Sequence, residues 1–188
     1  MAPEISHIVK VHELEFETYI SYRSNQDRIR EIADRINTDY TGKKPLFIGV
    51  LNGVFMFAAD LMKGINLNSE ISCIKLASYQ DTKTTGDIQE LIGLKENIKD
   101  LDIIIIEDII DTGETIAHVI KKLKELEPRS VEIVTLLLKP DIFNKNIPLK
   151  YVGFKIPHKF VVGYGLDYNG LGRNLKDIYQ IKDPAGQL

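Results

Sequence analysis

Residues 101–115 read LDIIIIEDIIDTGET, and the fold turns on how they are interpreted. Four consecutive isoleucines, Ile103, Ile104, Ile105 and Ile106, suit a strand buried on both faces of a parallel sheet, because such a strand has no solvent face on which to alternate polar residues. Charge then arrives all at once. Glu107, Asp108 and Asp111 stand where the strand is expected to end, and Thr112, Gly113 and Thr115 lead into a helical pattern at Ile116, Val119, Ile120 and Leu123. In an open α/β sheet, ligands bind beyond the carboxyl ends of the strands, and a helix N-terminus there offers free N–H groups to an anion. The adjacent carboxylates of Glu107 and Asp108 can accept hydrogen bonds from a vicinal diol such as ribose O2 and O3. They would repel phosphate, which belongs instead at the turn over residues 111–115. Asp111 lies between the two and is the natural candidate for a general acid or base.

Two other readings compete for this stretch. One is a buried strand followed by an acidic helix cap and nothing more. The other is a receiver domain, which also gathers aspartates at strand ends; it needs an acid after a different, central strand and a later lysine, and only Lys139 partly fits.

Upstream, residues 1–23 have no firm period and read as an extended arm with room for a short strand. Ser24 with Asp27 resembles a capping box, and Ile29, Ile32, Ala33 and Ile36 then share a helical face that ends by Gly42. Residues 46–51 read as the first buried strand, Asn52-Gly53 as a turn, and residues 54–63 as an apolar helix stopped by Gly64. Residues 71–79 alternate as a less buried strand, and residues 88–92 look extended again. Between them, QDTKTTGD at residues 80–87 is either a solvated hairpin loop or a lid that closes over a ligand.

Downstream, the helix after the acids ends before Pro128, and residues 131–138 form another apolar strand that stops at Lys139-Pro140. Strands alternating with helices imply right-handed crossovers and a parallel sheet. The tail over residues 151–181 is richer in Gly, Tyr and Pro and is expected to cap the sheet. The predicted architecture is therefore α/β: an open, mostly parallel twisted sheet flanked by helices, with a small cap from the C-terminal segment and the N-terminal arm. We expect a single domain over residues 1–188, with a core of about 24–150 and a cap from about 1–23 and 151–188.

Composition limits the function. The chain has 188 residues, enough for one sizeable core, and 44% hydrophobic with 27% charged residues is the balance of a globular domain. A net charge of −3 provides no general field for nucleic acid, and no long Lys/Arg cluster appears. Apolar runs near the length of a membrane span are absent, as is a basic-then-apolar leader, so neither membrane insertion nor secretion is expected. Cys73 is alone and cannot form an internal disulfide, so the expected setting is reduced and cytoplasmic. It alternates within a strand and reads as packing. His7, His12, His118 and His158 show no metal-site pairing, and His118 is expected on the exposed side of its helix. Walker A and GxGxxG patterns are missing, which disfavours kinase and dinucleotide readings.

The order of a hydrophobic strand, two acids, two residues, an acid and Thr-Gly-x-Thr resembles the phosphoribosyl diphosphate signature of type I phosphoribosyltransferases. Ser78-Tyr79 followed by Thr84-Thr85-Gly86-Asp87 resembles the catalytic flexible loop of the hypoxanthine-guanine phosphoribosyltransferases within that family. KFVVGYGLDY at residues 159–168, with Arg173 beyond, is similar to their purine-binding stretch, and with Lys139 and Leu51-Asn52-Gly53 the matches run from Phe47 to Arg173.

The resemblance implies an Mg²⁺-dependent enzyme of purine salvage that joins hypoxanthine or guanine to 5-phosphoribosyl 1-diphosphate, giving IMP or GMP and pyrophosphate. It implies catalytic roles for Asp111, Ser78 and Tyr79. The sugar donor would meet Glu107, Asp108, Asp111, Thr112, Gly113, Glu114 and Thr115, with Leu51, Asn52, Gly53 and Arg173 at its pyrophosphate. The purine would meet Lys139 at its 6-oxo group, Phe160 on its ring, the Val161 backbone at its Watson–Crick edge, and Asp167. Glu107, Asp108 and Asp167 would hold Mg²⁺. A lysine has donors and no acceptor, so it favours a 6-oxopurine over adenine, whose amino group would leave donors facing donors. Human-like members carry lysine where this chain has Asn52, so one pyrophosphate cation is missing here, and Ala77 replaces another family lysine. The family often has a cis peptide between the residues matching Leu51 and Asn52. It also implies a homo-oligomer, a dimer or tetramer, with small-molecule substrates and neither nucleic acid nor membrane as partner. The rivals are a non-catalytic regulator that senses the sugar donor, and a transferase of the same fold for xanthine or another base.

Overall fold

The computed structural model describes residues 7–78 and 88–182. Its centre is the isoleucine strand, β6 in chain order, and the elements before it are introduced first. The N-terminal arm forms two strands, β1 (Ile8–Val11) and β2 (Leu14–Ile20), followed by α1 (Tyr22–Asp39), β3 (Leu46–Leu51), α2 (Phe55–Gly64), β4 (Glu70–Ser78) and β5 (Ile88–Ile92). Then come β6 (Asp102–Ile110), α3 (Glu114–Lys124), β7 (Ser130–Leu138), β8 (Tyr151–Lys155), β9 (Val161–Val162) and β10 (Ile178–Ile181).

The main sheet runs β5-β4-β3-β6-β7-β8. Its five strands β4, β3, β6, β7 and β8 are parallel, and β5 joins the edge antiparallel. The isoleucines explain why β6 is central. Ile104 and Ile106 pack on the face covered by α1 and α2, with Ile32, Ile36, Phe57 and Leu61. Ile103 and Ile105 pack on the other, with Ile116, Val119 and Leu123 of α3. All four are fully buried, so an alternating strand needs an apolar residue at every position. A second sheet, β1-β2-β10-β9, is antiparallel and unites the N-terminal arm with the tail.

Five expectations are corrected. The arm carries two strands rather than one at most, because β2 pairs along its length with both β1 and β10. Helix α1 starts before Ser24: the Ser21 hydroxyl accepts from the Ser24 N–H, so Ser21 is the cap and Ser24 lies inside the first turn. Tyr151–Lys155, expected in the cap, is the outer strand of the main sheet, paired in parallel with β7. His118 is half-buried rather than exposed, because its side of α3 borders an apolar cavity with Ile74, Leu76 and Leu94. Strand β6 also runs past Glu107 to Ile110, since Ile109 and Ile110 continue the ladder beside Leu137 and Leu138. Among the described residues, no helix is long and apolar enough to cross a membrane.

Candidate active site

The carboxyl ends of β3, β6 and β7 point to one edge of the main sheet, and three cavities open there side by side. The first, about 250 Å³, is lined by Glu107, Asp111, Thr112, Gly113, Glu114 and Thr115. The second, about 230 Å³, is lined by Leu51, Asn52, Gly53, Leu76, Glu107, Asp108 and Thr115. The third is about 320 Å³ and is bounded by Gly53, Asp108, Ile109, Asp111, Lys139, Phe160, Val161, Leu166, Asp167 and Arg173. Glu107, Asp108 and Asp111 are each shared by two of them. The acids of residues 107–111 are therefore the seam of a composite site.

Strand β6 carries the first two acids into a dry environment. Glu107 is buried, and its Oε2 has no hydrogen-bond partner within the protein. Burial, with the neighbouring Asp108 charge, pushes its carboxyl well above the usual range. Burial also raises Asp108, to about 6, although the Ile109 N–H donates to its Oδ1 at 2.8 Å and Arg173 adds a favourable charge. Gly53 lies so close to Asp108 that a Cβ there would fall 1.6 Å from Oδ2. Any side chain at this position would drive the carboxylate aside. The Leu51–Asn52 peptide beside it is cis.

Beyond β6 the chain turns into the helix. The Thr112 hydroxyl accepts from the Glu114 N–H at 3.4 Å, and α3 begins at Glu114. The Glu114 carboxylate pairs with Lys145 at 2.5 Å. Asp111, half-exposed, meets the Lys139 ammonium at 3.0 Å, whereas Lys139 itself is buried. The end of β7 is held there by the Lys139 N–H, which donates to the Ile110 carbonyl at 3.0 Å. A donor and an acceptor thus stand side by side at the mouth of the third cavity.

The tail supplies the opposite wall. Phe160 remains 43% exposed, yet its edge is fixed by Tyr168, with ring centres 5.6 Å apart, and by Phe16 of β2 at 6.3 Å. Arg173 donates to the Gly165 carbonyl at 2.7 Å and pairs with Asp167 at 2.6 Å. The Gly170 N–H donates to the other Asp167 oxygen at 2.8 Å.

The structure therefore gathers Leu51, Asn52, Gly53, Glu107, Asp108, Asp111, Thr112, Gly113, Glu114, Thr115, Lys139, Phe160, Val161, Asp167 and Arg173 around one composite cleft. Ser78 is the last residue of β4. Tyr79 and the loop over residues 80–87, including Thr84, Thr85, Gly86 and Asp87, lie outside the described residues. Sequence reasoning missed Ile109, Leu166 and Leu76 as cavity walls. Leu166 sits within the GYGLDY run and Ile109 between two acids, but an apolar residue there carries no sign of which cavity it lines. Chemically, the cleft offers buried carboxylates to hydroxyls or a cation, a helix start to phosphate, and a flat wall with a lysine to a carbonyl-bearing ring.

Comparison with known proteins agrees with this geometry. A model of the phosphoribosyl transferase domain matches residues 21–169. The hypoxanthine-guanine phosphoribosyltransferase of Staphylococcus aureus is 40% identical over 167 residues, 88% of this chain and 93% of that protein. A bifunctional TilS/HprT protein of Listeria monocytogenes is 39% identical over 164 residues, or 87% of this chain, which spans 25% of that longer protein. Among solved structures, a Bacillus anthracis hypoxanthine-guanine phosphoribosyltransferase with HEPES in its active site superposes with a TM-score of 0.83 at 35% identity, covering 94% of this chain and 100% of that one. A hypoxanthine phosphoribosyltransferase of S. aureus gives a TM-score of 0.83 at 40% identity, with 88% and 91% covered. Sheet order, acidic seam and extended similarity agree, and the chain belongs to the hypoxanthine-guanine phosphoribosyltransferases of the phosphoribosyl transferase domain family.

Proposed function

We propose that this protein transfers the 5-phosphoribosyl group from 5-phosphoribosyl 1-diphosphate to N9 of hypoxanthine or guanine, releasing pyrophosphate and forming IMP or GMP in purine salvage. The observation that carries this reading is the Lys139–Asp111 pair at 3.0 Å. The O6 and N7 atoms of a 6-oxopurine are neighbours on one edge of the ring, so an acceptor and an N7 proton present themselves together. A lysine donor beside an aspartate acceptor matches that edge. Lys139 would donate to O6 while Asp111 takes the N7 proton, which leaves N9 the better nucleophile. Phe160 would stack on the ring, the Val161 backbone would meet the far edge, and Leu166 would close the wall.

The sugar donor spans the other two cavities and reaches the rim of the third at Arg173. Its 5′-phosphate would lie at the residue 111–115 turn, where N–H groups and the Thr112 and Thr115 hydroxyls face an anion. Its diphosphate would meet the residue 51–53 turn and Arg173, without a lysine at position 52.

Mg²⁺ fits the donors present. Glu107 has a buried oxygen without a protein partner, and Asp108 adjoins it. Among the described residues no three His, Cys, Asp or Glu side chains converge as a metal cage, but Mg²⁺ commonly keeps waters and takes only one or two carboxylates together with substrate phosphates. Glu107 with Asp108 would hold one such ion and Asp167 another, and when bound they would neutralise charge developing on the departing pyrophosphate. Asp167 is engaged by Arg173. Arg173 engaged by pyrophosphate would leave Asp167 free to hold the cation.

The raised Asp108 carboxyl predicts a pH signature. Its ordinary value is 3.8 and its folded value about 6, so between these values the folded state binds the extra proton. Relative to Asp108→Asn, the unliganded protein should therefore lose stability as pH rises through this window, and no further above it. Donor binding needs the ionised form. Affinity for 5-phosphoribosyl 1-diphosphate with Mg²⁺ should fall by at least about tenfold per pH unit below 6, the buried Glu107 carboxyl adding to the loss. Calorimetric titration from pH 5 to 8 reads this directly; a flat profile contradicts the assignment of Asp108 to the sugar donor.

The activity itself is tested with purified protein, Mg²⁺ and 5-phosphoribosyl 1-diphosphate, adding hypoxanthine, guanine, xanthine, adenine or uracil separately. Product with hypoxanthine or guanine, and little with adenine or uracil, is the expected outcome. Donor binding without product for any base would instead support a ligand-sensing regulator. The same reading includes a single phosphoribosyltransferase domain, a dimer or tetramer as the working assembly, and a cytoplasmic location. Cys73, free and half-buried, is compatible with a reducing compartment. Light scattering on the purified protein measures the assembly.

A further inference from the structure

Away from the acids, α1, α2 and the segment after β9 converge on one buried hydroxyl. Tyr164 is 3% exposed, and its hydroxyl donates to Asp60 Oδ2 at 2.6 Å. Gln26 of α1 donates to the same oxygen at 2.7 Å and to the Tyr164 hydroxyl at 3.3 Å. Lys63 meets the other Asp60 oxygen at 2.8 Å from the solvent side. Burial opposes the charge on Asp60, yet the bonds from Lys63, Tyr164 and Gln26 bring its carboxyl below the usual range. Bonds of this kind, with one partner ionised, are shorter and stronger than neutral ones.

The backbone around Tyr164 is unusual as well. Gly163, Tyr164 and Gly165 all have positive φ, at 100°, 50° and 101°. Tyrosine adopts this region only when its surroundings over-determine it. Gly165 then presses against the diphosphate turn: a Cβ on it would lie 2.1 Å from the Gly53 carbonyl oxygen. Helix α2, which carries Asp60, begins just beyond that same turn. The Asp60–Tyr164 bond therefore joins the element after the diphosphate turn to the strap that continues into Leu166 and Asp167.

We infer that Tyr164, gripped by Asp60 and Gln26, is a positioning residue that keeps the purine wall in register with the diphosphate turn. It touches neither substrate. Its effect is on the approach of N9 to the ribose C1, and this rests on the division of substrates proposed above. Small misplacements of reacting atoms lower the chemical step more than they lower binding.

The test uses Tyr164→Phe, Asp60→Ala, Asp60→Asn and Lys63→Ala in the full chain, each verified as folded at the assay temperature by circular dichroism. Initial rates with hypoxanthine, 5-phosphoribosyl 1-diphosphate and Mg²⁺ give kcat and both KM values. In Tyr164→Phe and Asp60→Ala, kcat should fall about tenfold while each KM moves less than about threefold. Asp60→Asn keeps an acceptor for the hydroxyl and should recover to within about threefold of wild type, and Lys63→Ala should match wild type. A role in stability alone would lower the melting temperature and leave the turnover of folded protein unchanged. Folded Tyr164→Phe with kcat within about twofold of wild type overturns the inference. If Tyr164→Phe does not fold, equal kcat in Asp60→Ala and Asp60→Asn overturns it. A wild-type protein that forms no nucleotide refutes the substrate reading itself, before any variant is compared.

Discussion

Asp111→Asn is expected to lower turnover by about 10²- to 10³-fold while changing affinity for the sugar donor by no more than about threefold. The substitution preserves shape, and an asparagine oxygen can still accept from Lys139, which stands 3.0 Å from Asp111 in the native pair. What disappears is the capacity to take a proton. An amide nitrogen turned toward N7–H would also place donor against donor. The donor's phosphate is served by the turn after Asp111, and its hydroxyls by Glu107 and Asp108, so the donor should still bind. Steady-state kinetics with hypoxanthine, paired with calorimetric titration of 5-phosphoribosyl 1-diphosphate, separate the two effects. An asparagine variant with native turnover would remove Asp111 from the chemistry. A variant that lost donor affinity and turnover in equal measure would make Asp111 a binding residue.

Lys139→Ala carries the second large effect, and it concerns selection. A hydrogen bond to a charged group is worth about 1.5–3 kcal/mol, so kcat/KM for hypoxanthine and guanine should fall about 10- to 100-fold. Adenine brings an amino group to the same place and loses no attraction when the lysine goes. The preference for 6-oxopurines over adenine should therefore shrink by a similar factor. The fold is expected to survive, because Asp111, the partner left behind, is 48% exposed and can be hydrated. Parallel measurements of kcat/KM for hypoxanthine, guanine and adenine read the result. Unchanged discrimination would contradict the role given to Lys139.

Much of the main sheet was legible because its signals are local. The four isoleucines of β6 need two covered faces, and the stripes Ile29-Ile32-Ala33-Ile36 and Ile116-Val119-Leu123 supply helices to cover them. The acids after that strand, together with Thr-Gly-x-Thr, marked the ligand edge for the same reason. What escaped depends on partners far along the chain. Tyr151–Lys155 is short and includes Gly153, and only its register against β7 makes it a strand of the main sheet. Ser21 looks no better a cap than Ser24 until Asp177 is seen accepting the Tyr22 N–H at 2.6 Å, which fixes where α1 begins. Likewise Lys139 and Asp111, or Asp167 and Arg173, could be nominated one by one for a site. Their contacts with each other belong to the folded chain.

The antiparallel sheet has a consequence for the order in which this protein can assemble. Strand β10 lies between β2 and β9, so the N-terminal hairpin has no neighbour on that side until residues 178–181 arrive. A chain leaves the ribosome N-terminus first, and pairings distant in sequence close late. The parallel sheet, with its acidic seam and phosphate turn, can be complete while β2 still waits. Phe160 leans on Phe16 of β2, and Val161 and Val162 pair with β10. Thus the acidic seam, the phosphate turn and Lys139 are in place early, whereas the Phe160–Val161 wall is completed only when residues 178–181 have met β2.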